Sequence, residues 1–272
     1  MLNEYSFGEI YIRHAIDKEP DEKAFTMHIH DRCEIYFFVS GNVEYLVEGS
    51  KYPLVENSLM IMRPAEAHSP KITGSSTYER YAVNFPIDLV KDIDAEMRLM
   101  TPFSGRLLGK DNMFSAVEMD MKLVHKLFSE MCGDNDDYGK KLTIKTHLIT
   151  LLDVINRAWS EKKKTGSKRQ STGERIVMYV NEHLTEDISV PKLAEHFYIS
   201  TSQFNRVFKQ ATGAAPWDYI IRKRLTVAKE LLRNGVSAQE AAESCGFRDY
   251  SVFYRAYTRL FGYPPKHSQF NK

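Results

Sequence analysis

The sequence predicts an α+β chain: an antiparallel β-rich first part, then a helical hairpin, then an all-α last part holding two helix-turn-helix units. Three observations carry this. Short apolar/polar alternations separated by turn residues fill positions 1 to about 90. The period becomes helical between positions 114 and 159. Finally, Ser202, Phe204, Arg206, Phe208, Gly213 and Pro216 recur 49 residues later as Ser251, Phe253, Arg255, Tyr257, Gly262 and Pro265.

With 272 residues, 43% of them apolar and 27% charged, a folded chain of about two domains is expected and wholesale disorder is excluded. No apolar run reaches the ~18 to 20 residues of a bilayer span. The amino terminus has no continuous apolar stretch and so does not read as a signal peptide. A cytoplasmic protein with no membrane partner is therefore expected. Cys33, Cys132 and Cys245 lie far apart without a Cys-x-x-Cys pair, which argues against a disulfide framework or a cysteine zinc site. The net charge of +1 hides a division: residues 1–160 carry 18 Lys+Arg against 25 Asp+Glu, whereas residues 173–272 carry 14 against 10. A polyanionic partner would sit at the carboxyl end.

The clearest strands are 34–39, 43–47, 58–62 and 78–85, with turn signals at Ser40-Gly41-Asn42, Glu48-Gly49-Ser50, Pro64 and Gly74. Their spacing predicts an antiparallel sandwich or a small barrel. Val117, Met121, Val124, Leu127 and Phe128 form one helical stripe, and Ile144, Leu148, Leu151, Leu152 and Ile155 another. The turn residues at 132–136 separate the two helices. Residues 161–172 contain no apolar side chain and read as a solvated linker. The expected organisation is thus 1–160, a linker at 161–172, and 173–272.

Each repeat unit pairs a short helix (190–197 and 238–245) with a tight turn and a second, one-sided helix. Phe204, Val207 and Phe208 can bury the first of these second helices. That leaves Thr201, Ser202, Gln203, Asn205, Arg206 and Lys209 outside, a set of donors and amides suited to base edges and phosphates. In the other unit Phe253 and Tyr257 face inward, and Tyr250, Ser251, Tyr254, Arg255 and Arg259 face out. A helix over 217–233 would join the units rigidly. Double-stranded DNA is the expected partner.

Residues 175–270 resemble the DNA-binding domain of the AraC/XylS family of bacterial transcription regulators. The resemblance rests on the run from Gly246 through Tyr257, followed by Gly262-Tyr263-Pro264-Pro265. Tyr257 stands where the family usually has Phe, and His267-Ser268-Gln269-Phe270 replaces its usual Tyr-Arg. The resemblance implies two recognition helices entering successive major grooves, with RNA polymerase as a further partner. The stripe Leu148, Leu151, Leu152 and Ile155 can pack on the chain's own sheet, but the resemblance also implies a dimer through the helix before the linker, with these residues at the seam.

Near the other end, His28, His30 and Glu34, followed by Gly41, have the spacing of the first cupin motif, and Pro64-Ala65-Glu66-Ala67-His68 is similar to part of the second. This weaker resemblance, over roughly 5–90, implies a cupin-like barrel. Regulators resembling this family commonly use such a sensor to bind a small effector, often a carbohydrate. His28, His30, Glu34, Tyr36 and His68 are accordingly the expected effector residues, with a structural or pocket-lining role for the histidines and an ordinary core role for Tyr36 as the alternatives. Neither cofactor nor metal is expected. The rival is a cupin metalloenzyme, a sugar isomerase or dioxygenase, with His28, His30, Glu34 and His68 as ligands. A chain built only for catalysis has no evident use for duplicated Arg-bearing helices, so a non-enzymatic, effector-responsive regulator is the reading preferred.

Overall fold

One strand decides the architecture of the amino-terminal half. In β3 (Cys33–Ser40) every side chain from Cys33 to Phe38 is buried. Alternation sends Ile35 and Phe37 to one face and Glu34, Tyr36 and Phe38 to the other. A strand covered on both faces belongs to a middle layer.

The computed structural model describes residues 2–133, 137–162 and 170–267. The remaining strands are β1 (Leu2–Phe7), β2 (Ile10–Asp17), β4 (Val43–Val47), β5 (Ser50–Pro53), β6 (Ser58–Met62), β7 (His68–Ile72), β8 (Tyr78–Phe85) and β9 (Met113–Phe114). They form a six-stranded sheet, ordered β1-β2-β8-β3-β6-β9, and a three-stranded sheet, β5-β4-β7, with antiparallel pairing throughout. Tyr36, Phe38, Met60 and Met62 of the larger sheet pack on Val43, Tyr45 and Val47 of the smaller. Its opposite face, with Ile35, Phe37, Leu59, Ile61 and Val83, is covered by α2 (Met121–Cys132) and α3 (Asp137–Glu161), while α1 (Thr101–Ser104) is a single turn beside them.

The cupin-like closed barrel implied by the histidine motif is not formed. Among the described residues no ladder joins the two sheets. The one bridge beside them pairs His28 with His68, each backbone N donating to the other's carbonyl at 3.0 and 3.1 Å. The reason is geometric: at ~4.8 Å per strand, three strands reach only about half the width of six, so the edges cannot meet. The other apolar face of the larger sheet is covered by α2 and α3.

Two further expectations change in the helical layer. Leu148, Leu151, Leu152 and Ile155 are wholly buried in the chain's own core against the sheet, so these side chains cannot form a dimer seam. Val117 precedes α2 and is 94% exposed, because Asp120 caps the helix at Lys122 and Leu123 and starts it later than the stripe suggested. Residues 134–136 of the expected turn, 163–169 of the linker and 268–270 at the end lie outside the described residues.

The carboxyl-terminal part holds α4 (Thr172–Glu182), α5 (Val190–His196), α6 (Thr201–Thr212), α7 (Pro216–Arg233), α8 (Ala238–Ser244) and α9 (Tyr250–Phe261). Phe204, Phe208, Tyr219 and Ile220 centre one core, and Leu225, Ala228, Phe253 and Tyr257 the other. Ser200 accepts from Gln203 N to start α6, and Asp249 accepts from Ser251 N to start α9. Arg224 ties the two units by donating to the carbonyls of Leu184, Glu186 and Gly246 at 2.7 Å each. The three cysteines are free and buried. No described helix is long and apolar enough to cross a membrane.

Candidate effector cavity and nucleic-acid interface

His28 and His30 precede β3 and are not part of it, so shared strand parity is not what unites them with Glu34. The bridge between His28 and His68 does so instead. Glu66, bound bidentately by the fully buried Arg106 and accepting from the backbone N of Arg63 and Gly109, fixes the turn that presents His68. In the resulting cluster the His30 and His68 Nε2 atoms lie 3.0 and 3.4 Å from one Glu34 carboxylate oxygen, to which Asn84 Nδ2 also donates at 2.9 Å. One ligand-type atom from each of His28, His30, Glu34 and His68 lies within 4.8 Å of the others, a set able to hold a metal ion.

Electrostatics in the cluster follow from burial and pairing. Burial alone would raise the Glu34 carboxyl, but hydrogen bonds and charge from His30 and His68 hold it well below the ordinary value. Burial would lower His68, yet bonding to Glu34 outweighs it and raises this imidazole. His28, half-buried, is pushed down to about 3 by desolvation and by the neighbouring His68.

The cluster forms the floor of a cavity of about 570 Å³. All the sequence-predicted effector residues except His68 line it directly, and His68 stands behind with 1% exposure. Its walls add groups that sequence reasoning missed: Tyr11, Arg13, Phe25, Asp31, Tyr45, Tyr78, Arg80 and Asn84. The rings of Tyr36 and Tyr45 are 4.8 Å apart, the hydroxyls of Tyr36 and Tyr78 meet at 2.5 Å, and the Arg80 guanidinium lies 4.2 Å over Tyr78 while pairing with Asp17. Tyr78 and Arg80 belong to an alternating strand whose inward parity was legible; Asp31 and Phe25 come from irregular chain with no such signal.

In the helical part, Thr201, Ser202, Gln203, Asn205, Arg206 and Lys209 are all exposed along α6. On α9, Ser251, Tyr254, Arg255 and Arg259 are exposed, whereas Tyr250 is half-buried with its ring 5.8 Å from Phe253. Arg255 Nε donates to Ser251 O at 3.3 Å within its own helix. Neither Arg206 nor Arg255 has an ion-pair partner among the described residues, so no internal salt bridge withholds either from a polyanion.

The sequence also missed how the two parts meet. Glu48, expected only as a turn residue, is buried with a left-handed φ of 48°. It accepts from Lys223 Nζ at 2.5 Å, Ala67 N at 2.7 Å, Asn181 Nδ2 at 2.9 Å and the Tyr219 hydroxyl. Asp31, on the cavity wall, pairs with Lys229 at 3.0 Å and Arg233 at 3.5 Å on α7. Gly213, at φ 79° after α6, sits where a Cβ would come 3.1 Å from Ser69 Oγ.

A family model described as AraC-like ligand binding domain matches residues 13–152, and one described as helix-turn-helix domain matches residues 193–269. The probable transcriptional regulator LumQ of Photobacterium leiognathi is 28% identical over 255 residues, which cover 92% of this chain and 94% of LumQ. The HTH-type transcriptional activator RhaS of Salmonella arizonae is 25% identical over 259 residues, covering 93% and 90%. Among solved structures, the DNA-binding domain of the global transcriptional factor AdpA in complex with a target DNA is 31% identical, with 37% of this chain and 92% of that domain covered and a TM-score of 0.36. The sensor-type match spans half of the chain and the helix-turn-helix match follows it, so the chain belongs to the AraC/XylS family of DNA-binding transcription regulators, which act without catalysis.

Proposed function

We propose that the chain regulates transcription in response to a carbohydrate held in the 570 Å³ cavity, and that α6 and α9 supply the base and phosphate contacts. The observation carrying the effector class is the wall itself: Tyr36, Tyr45, Tyr78 and Phe25 give flat apolar faces beside the polar groups of Arg13, Asp31 and Asn84. A sugar ring has the same division, with C–H faces and a hydroxyl rim, and pockets of this size hold small ligands by a few placed polar groups. Arg206 and Arg255, exposed at equivalent positions of two helices and without an ion-pair partner among the described residues, support the DNA contacts.

The test uses the full chain. Its DNA affinity should fall steeply with salt through counterion release. A panel of pentoses, hexoses and their disaccharides should include one that raises the melting temperature, since a ligand that binds only the folded state stabilises it. A chain that binds DNA but is stabilised by no sugar in the panel would remove the carbohydrate and leave the regulator.

A further inference from the structure

The charges that line the cavity do not balance one another. Its wall carries three guanidiniums, of Arg13, Arg32 and Arg80, against two carboxylates, of Asp31 and Glu34. Both acids are already matched by cations from behind the wall: Glu34 by the raised His68 imidazole, and Asp31 by Lys229 and Arg233 of α7. The guanidiniums also look outward for partners, and not equally well. Arg80 pairs closely with Asp17, and Arg32 donates to the Glu9 carbonyl and stands 3.5 Å from the Glu9 carboxylate. Arg13 is the least satisfied. Its Nε is buried and makes no hydrogen bond among the described residues, and its ion pair with Glu4 is 3.6 Å long. That carboxylate already accepts from the Tyr11 hydroxyl. A buried donor left without an acceptor is costly, and a ligand that supplies one recovers the cost.

The register of the larger sheet places Arg13 where a ligand would meet it. Across β2, β8 and β3, Arg13 stands opposite Ala82, and Ala82 opposite Tyr36. All three line the cavity. Arg13 and Tyr36 are therefore two strand spacings apart, ~9.6 Å, with only a methyl group between them. The next row along the strands is Tyr11, Asn84 and Glu34. A sugar ring seated over Ala82 would have the tyrosine at one edge, the guanidinium at the other, and Asn84 alongside. We propose that the effector is an acidic monosaccharide whose carboxylate or phosphate is bound by Arg13. This rests on the carbohydrate reading of the cavity and narrows it. The guanidinium fork donates two parallel N–H bonds to either anion, and a charged acceptor bonds roughly twice as strongly as the hydroxyl that a neutral sugar offers. Glu34 does not repel the anion, because the His68 imidazole offsets its charge.

The full chain is titrated by calorimetry with matched probes: D-glucuronate against D-glucose, D-galacturonate against D-galactose, and the corresponding hexose phosphates. At least one acidic sugar should bind ~10-fold or more tightly than its neutral counterpart, and added salt should shrink the preference. The uronate and phosphate arms show which anion the site takes. Arg13→Gln removes the charge from a side chain that is 38% exposed, so the variant should stay folded by circular dichroism. It should lose ~10- to 100-fold in affinity for the acidic sugar, and Arg13→Lys, which keeps the charge without the fork, should recover part of this. The proposal is overturned by a neutral sugar that binds as tightly as its acidic counterpart, an outcome that leaves the carbohydrate reading standing. It is equally overturned by an acid preference undiminished in folded Arg13→Gln. Binding of no sugar of either kind removes both readings.

Discussion

Arg206 and Arg255 occupy the same repeat position but have different neighbours. Beside Arg206 stand Ser202, Gln203 and Asn205, all exposed and able to pair with base edges. Beside Arg255 stand Tyr254 and the half-buried Tyr250, which can touch a thymine methyl or a phosphate but lack an amide's two-point geometry. The first unit should therefore read sequence more stringently. Arg206→Ala is expected to cost ~1 to 3 kcal/mol and to relax base preference in one half-site, the half-sites lying roughly 10 bp apart. Arg255→Ala should weaken binding similarly with less change in preference. Selection of sites from a random DNA pool checks both, and identical preferred sequences for wild type and Arg206→Ala would show that Arg206 specifies no base. Single residues were legible here because solvent exposure follows directly from helical period.

At the scale of elements, what was legible is what local chemistry dictates. The strands 43–47, 58–62 and 78–85 and the helices of both repeat units stand where alternation and the repeat put them. In α6 Phe204 and Phe208 are buried as its period requires and Gly213 of the repeat ends it, while the structure adds Ser200 as the cap that starts it. Ser200→Ala should cost about 1 kcal/mol through the lost cap, and Phe253→Ala about 3 to 5 kcal/mol by emptying the centre of the second core. Denaturant titration reads both, and equal small losses would mean that Phe253 is not the core anchor its complete burial indicates. Closure of the sheets was not legible, because alternation reports which face is covered and not what covers it. Tyr36 and Phe38 point inward whether the opposite wall is a barrel strand or a second sheet. For the same reason the stripe on α3 could not distinguish its own sheet from a partner. In the candidate site the histidines were visible through spacing, but Asp31 and Phe25 were not, since irregular chain carries no period.

The whole molecule is held by charges that no local pattern reveals. Lys110 pairs with Glu174 across the junction, and Ser50 Oγ donates to the same carboxylate. Burial would raise Glu174, but these bonds lower it to about 2. A depressed carboxylate stabilises above its unfolded value, near 4.5, and that contribution is lost as pH falls towards about 2. The melting temperature should accordingly drop across this acid window, and less so in Glu174→Gln. Glu48 and Lys223 present the sharper case, because their side chains are only 1% and 5% exposed. Desolvating two such charges consumes most of their attraction, so the pair adds little net stability, yet removing one partner strands the other. Lys223→Met would leave Glu48 with Tyr219, Asn181 and Ala67 N but no cation, at a cost of about 3 to 5 kcal/mol. Glu48→Gln would strand the ammonium in turn. The double variant, with neither charge, should recover much of the loss, giving a coupling of opposite sign to the single effects. Thermal unfolding of the four proteins measures this, and strictly additive losses would show that the pair is not the junction's electrostatic centre. Asp31 supplies the contrast: its bridge to Lys229 and Arg233 is more exposed and borders the cavity. Asp31→Asn should therefore change melting temperature less than Lys223→Met, while altering how a bound effector shifts DNA affinity, since α7 carries both helix-turn-helix units. An effector response identical to wild type would remove Asp31 from the route between cavity and DNA.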